Sequence, residues 1–76
     1  MELEKLKEII AEVLGTDRNH ITEETTFVDD LGADSLDVFQ IIMGVEEEYD
    51  IEIDGETAEQ IQTIGDAVRI IRSLLQ

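Results

Sequence analysis

Few side chains in this 76-residue chain are equipped for chemistry: it has no Cys, one His, and twenty Asp and Glu. Nucleophilic catalysis needs a base beside the nucleophile and a third group to orient that base. His20 stands alone among loop-forming residues and reads as an exposed or loop-packing histidine. Asp50, Glu52, Asp54 and Gly55 match the opening positions of a helix–loop–helix calcium loop, but the closing position, where a bidentate Glu belongs, is Ile61. No metal site is expected. Asp29–Asp30 and Glu46–Glu47–Glu48 supply adjacent carboxylates, yet successive residues on a helix point apart, so solvated acids are expected rather than a catalytic dyad. What remains is Leu31-Gly32-Ala33-Asp34-Ser35-Leu36-Asp37. Gly32 permits a tight turn, Ala33 is small, and Ser35 stands where a loop enters a helix. A hydroxyl at that electropositive, N–H-rich end suits a phosphate ester. Equally, Ser35 could serve only as a helix cap.

Five Lys and Arg against twenty Asp and Glu leave a net charge of −15. Such a surface repels phosphate, which argues against nucleic acid and anionic membrane as partners and favours basic protein surfaces or cations. High charge with few aromatics warns of disorder. The 42% hydrophobic content, clustered periodically, argues for a folded domain. Residues 1–76 are expected to form a single domain with a marginal core, because roughly 60% of the unfolded surface is buried at this size. Without Cys, disulfides and thiolate chemistry are excluded. Apolar packing must then dominate, and stability should rise with salt or divalent cations. No secretory signal, transit peptide or membrane-length apolar run is visible, so a soluble cytoplasmic protein is expected, unless an organelle presequence was removed ahead of residue 1.

The elements that must position Ser35 follow from periodicity. Leu3, Leu6, Ile9, Ile10, Val13 and Leu14 form one helical stripe, which Gly15 ends as a left-handed cap. Residues 16–34 show no period, and a loop of this length is uncommon unless functional. Ile21, Phe27, Val28 and Leu31 are expected to plug it into the core. A second helix begins at Asp34–Ser35 and ends at Tyr49–Asp50, with Leu36, Phe39, Ile42 and Met43 inward and Ile41 and Val45 at the edge. Ile51–Glu52–Ile53 alternates like a strand, but with no partner strand in the chain it is expected as an extended connector. A short helical segment covers Glu56 to Ile61. The last helix runs from Ile64 or Gly65 to Leu75, capped by Thr63, with Ile64, Ala67, Val68, Ile71 and Leu74 or Leu75 inward. The expected fold is all-α: a small bundle of three main helices and one short helix, with a long ordered loop between the first two.

Asp34-Ser35-Leu36, preceded by Asp30-Leu31-Gly32-Ala33, resembles the phosphopantetheine attachment motif of acyl carrier proteins. The resemblance extends through the first helix, Phe27 to Gly32, Met43 to Ile53 with its Glu46-Glu47-Glu48-Tyr49-Asp50, and Ile64 to Val68. It implies that a carrier-protein synthase transfers 4′-phosphopantetheine from coenzyme A to Ser35, within a site that includes Asp34 and Leu36. The arm's thiol, supplied with the prosthetic group, would carry acyl intermediates as thioesters between enzymes of fatty-acid biosynthesis. The domain would be a carrier with no catalysis of its own, and a monomer. The resemblance further implies that Phe27, Val28, Ile41, Val45 and Ile61 line the acyl pocket, and that Asp34, Asp37, Glu46 and Glu47 meet basic docking patches on partner enzymes. Ordinary core packing and solvated charge are the plain alternatives for these two sets. Two departures stand out: Gln40 where an acidic residue is common, and Asp54–Gly55 where a proline commonly follows the connector. The alternatives to fatty-acid synthesis are a carrier for polyketide, peptidyl or D-alanyl transfer, and an acidic interaction or ion-buffering domain without a prosthetic group.

Overall fold

The computed structural model describes residues 2–75. Four helices follow one another along the chain: α1 (Glu2–Leu14), α2 (Ser35–Tyr49), α3 (Gly55–Glu59) and α4 (Ile64–Leu75). A single 3-10 turn, Arg18–His20, interrupts the α1–α2 loop. Among the described residues none forms a strand, and the fold is all-α as its periodicity requires. Among the described residues no helix is long and apolar enough to cross a membrane.

α1 packs against α2 and α4. Leu6 and Ile10 of α1, Ile41 and Val45 of α2, and Ile64, Val68 and Ile71 of α4 meet in one core. Gly15 ends α1 at φ +67°, a region glycine enters without a Cβ penalty, and its N–H closes the last turn on the Ala11 carbonyl at 2.9 Å. The long loop contributes core side chains: Ile21, Phe27 and Ala33 are buried. It is also stitched to the segment before α4. Phe27 N–H donates to the Gln62 carbonyl at 3.1 Å, and Ile64 N–H to the Thr25 carbonyl at 2.9 Å.

Four sequence expectations are corrected. α2 is turned so that Ile41 and Val45 face inward, while Leu36, Phe39 and Met43 are 63%, 59% and 47% exposed. This helix is apolar around most of its circumference, so two stripes compete and periodicity alone does not choose between them. Gly44 decides the rotation: a Cβ there would lie 3.1 Å from the Ile9 side chain, so α1 approaches on the Ile41–Gly44–Val45 side. Val28, expected as a core plug, is 66% exposed, because the turn from Phe27 to Gly32 sends Phe27 inward and Val28 out. Leu74 and Leu75 are also exposed, since α4 runs past the end of the core. The short helix is Gly55–Glu59, one residue earlier at its start than expected, and Ile61 follows it.

Candidate functional site

Ser35 is the first residue of α2, and it is exposed. The cap is Asp34, not Ser35, which settles which of the two holds the helix start. Asp34 Oδ1 accepts the Asp37 N–H at 2.9 Å, and Asp37 Oδ2 accepts the Asp34 N–H at 3.3 Å, a reciprocal capping box. Four amides are left over at any helix start. Here the box takes Asp37 and the helix takes Val38, whose N–H reaches the Asp34 carbonyl at 3.0 Å. The amides of Ser35 and Leu36 are taken by neither, and they lie at the positive end of the helix dipole, an arrangement suited to a phosphate oxygen. Gly32, at φ +65°, turns the chain so that Ala33 drops into the core and Asp34 emerges to cap.

An open groove of about 690 Å³ lies beside Ser35. Phe27, Val28 and Asp29 form its loop side, Val38, Phe39 and Ile42 its α2 side, and Ala58, Glu59 and Ile61 its α3 side. That volume is in the range of small-molecule sites, and the lining is mainly apolar. Behind it, inside the bundle, is a void of about 10 Å³ walled by Leu6, Ile41, Val45, Ile53, Ala67 and Ile71 among others. Phe27, Val38, Ile42 and Ile61 border both spaces. These four side chains are the partition between the groove at Ser35 and the core.

The residues expected to line an acyl pocket therefore divide. Phe27, Val28 and Ile61 reach the open groove, whereas Ile41 and Val45 reach only the interior void. Sequence reasoning missed Val38, Phe39 and Ile42 as lining. Counting three, four and seven residues on from Ser35 finds them, because those positions share its helix face. The acids divide as well. Asp34 and Asp37 are occupied by each other's backbone, and Glu46, half-buried, accepts the Ile53 N–H on Oε2 at 2.7 Å. Glu47 is exposed on the stripe it shares with Leu36, Gln40 and Met43. Asp54, which matches a ligand position of a calcium loop, caps α3 by accepting the Thr57 N–H at 2.7 Å, and that bond holds its carboxyl below the usual carboxylate range. Asp66 is likewise held low, by the amides of Thr63 and Gln62, and pairs with Arg69. His20 lies exposed in the 3-10 turn.

Comparison with known proteins adds a family to this geometry. Residues 4–71 match the family model described as the phosphopantetheine attachment site. The chain is 51% identical over 73 residues to the acyl carrier protein of Clostridium acetobutylicum, covering 96% of this chain and 95% of that one. Among solved structures it is similar to an acyl carrier protein from Thermotoga maritima, with TM-score 0.84, 34% identity, and 99% and 92% of the two chains covered. A solved Mycobacterium tuberculosis chain, provisionally described as an acyl carrier protein, superposes with TM-score 0.90 at 40% identity over 96% and 97% of the two chains.

Proposed function

The chain belongs to the acyl carrier proteins, whose prosthetic group is 4′-phosphopantetheine, and from that premise we propose that Ser35 carries the group and that the cargo is the acyl intermediates of fatty-acid biosynthesis. The observation that carries this reading is the placement of one exposed hydroxyl between two unclaimed helix-start amides and a largely apolar groove. When bound, the group supplies a terminal thiol on which acyl groups are held as thioesters.

The chain's own residues divide the work. Asp34 and Asp37 fix the helix start through their capping box and so hold the backbone of Ser35 in place. The amides of Ser35 and Leu36 offset the charge of a phosphodiester. Phe27, Val28, Val38, Phe39 and Ile61 offer apolar surface to an acyl chain, worth about 0.8 kcal/mol for each CH₂ withdrawn from water. The interior void is far smaller than such a chain, so deeper entry through Ile41 and Val45 requires Phe27, Val38, Ile42 and Ile61 to part. Leu36, Met43 and Glu47 face outward on one stripe, where synthase and fatty-acid enzymes with basic patches would dock. On this reading the protein is a cytoplasmic monomer and catalyses nothing alone.

Incubation with coenzyme A and a carrier-protein synthase, followed by intact-mass measurement, tests the proposal. Wild type should gain one phosphopantetheine, and Ser35→Ala should gain none. Modification of Ser35→Ala would move the site elsewhere. Failure of wild type to gain mass would return the chain to an acidic interaction module.

A further inference from the structure

α3 is held differently from the other helices. It buries none of its residues, while α1, α2 and α4 all contribute to the core. It forms one side of the groove and is fastened at its two ends. The fastening after α3 is dense. Thr26 and Thr63 pair as a bridge, flanked by the Phe27–Gln62 and Ile64–Thr25 backbone bonds. Thr26 and Asp30 bond reciprocally at 2.8 and 2.9 Å. Thr63 and Asp66 do so at 3.2 and 3.1 Å.

The fastening before α3 combines the packing of Ile51 and Ile53 against the core with one side-chain hydrogen bond. Glu46 Oε2 accepts the Ile53 N–H at 2.7 Å, in a half-buried setting. The Glu46 carbonyl also receives the Ile51 N–H at 3.1 Å, but that bond belongs to the end of α2 itself. Ile53 in turn sends its side chain to the wall of the interior void, beside Ile41, Val45 and Ile61. One charge-assisted bond from α2 thus helps to set the position of that wall, together with the packing of Ile53.

We propose that Glu46 is a positioning residue that pins the α2–α3 connector at Ile53 and thereby sets the size and tightness of the interior compartment. The inference rests on the carrier reading for the compartment's use, and it separates Glu46 from the docking acids among which the family resemblance places it. The two roles predict opposite behaviour. A docking role depends on charge, so Glu46→Gln and Glu46→Ala should be equally impaired and the difference from wild type should vanish in high salt. A pin depends on an acceptor oxygen, which Gln retains and Ala lacks.

The test uses both variants with two readouts. Hydrogen exchange at the Ile53 amide is measured on the chain before modification. Glu46→Ala should raise it about tenfold, as expected for loss of a charge-assisted bond, and Glu46→Gln should stay within about threefold of wild type. Hydroxylamine cleavage of the thioester is then measured on octanoyl- and acetyl-loaded protein. Glu46→Ala should expose the octanoyl thioester several-fold more and leave the acetyl thioester unchanged, at low and high salt alike. Unchanged Ile53 exchange in Glu46→Ala, equal behaviour of Gln and Ala, or an equal rise at Ile10 in α1 would each overturn the pin. Altered exchange with no chain-length dependence would overturn its link to the compartment. Because exchange is read before modification, failure to load Ser35 would sink the carrier reading while leaving the pin to be decided by Ile53.

Discussion

α1 and α2 are neighbours of similar length, but they treat their surfaces in opposite ways. On α1 Glu4 and Glu8 are matched: Lys7 pairs with Glu4 at 3.7 Å, and Arg18 reaches both Glu4 and Glu8 at 3.2 Å. Lys5 joins Glu8 at 3.4 Å to Glu48 of α2 at 3.9 Å. On the outer side of α2 there are exposed Leu36, Phe39 and Met43 beside exposed Glu47, with no Lys or Arg on the helix. The division runs through the whole chain. Residues 19–68 hold fifteen acids and no Lys or Arg, and the remainder holds five of each sign. All of the −15 therefore belongs to the segment that carries Ser35. A single-sign field together with exposed apolar side chains is an unfavourable surface for stability and a suitable one for brief contact with basic partners.

The comparison breaks most visibly in the core. Ile10→Ala on α1, fully buried, should cost about 2–5 kcal/mol in denaturant unfolding and leave partner rates proportionate to the folded fraction. Leu36→Ala on α2, 63% exposed, should change stability by about 0.5 kcal/mol or less and yet slow partner enzymes. If Leu36→Ala proves as destabilising as Ile10→Ala, the outer side of α2 is structural after all. A smaller effect sharpens the electrostatic contrast. Glu47→Lys should slow the synthase reaction about tenfold at low salt and converge on wild type at high salt, with helical content unchanged. Lys5→Ala should alter neither, since its pairs are exposed and worth about 0.5 kcal/mol at most. Glu47 is a cleaner probe than Asp34, Asp37 or Glu46, whose carboxylates hold backbone amides.

The smallest effect concerns acid. Asp54 and Asp66 have folded pKa values below the ordinary 3.8, so each binds protons less readily folded than unfolded. Their stabilisation is complete above 3.8 and is lost as pH falls through the depressed values. The starts of α3 and α4 should fray below that window while α1, capped by Gly15, persists. Residue-resolved exchange during acid titration would show it, and simultaneous loss of α1 would remove the distinction.

Much of the site was legible before any coordinates. The turn at Gly32, the helix beginning at Asp34–Ser35 and the cap at Gly15 rest on local backbone preferences that act within a few residues. The rotation of α2 was not legible. Leu36–Phe39–Met43 and Val38–Ile41–Val45 are both acceptable apolar stripes, and the choice turned on Gly44 admitting Ile9 from α1. Val28 was misread for a related reason: in an aperiodic loop, neighbouring apolar residues give no direction. The bond from Glu46 to Ile53 was hidden because its carboxylate sits in a run of three acids, and only the folding back of the connector distinguishes it.

The sequence by itself determined the all-α fold class, the charge asymmetry and the exposed serine at a helix start, because composition, period and capping are local properties of the chain. Tertiary structure alone decided which face of α2 meets solvent, which of the expected pocket residues reach the groove, and which acids are free to meet a partner. Those outcomes depend on what packs opposite, and residues far apart in the chain determine that only once they are brought together.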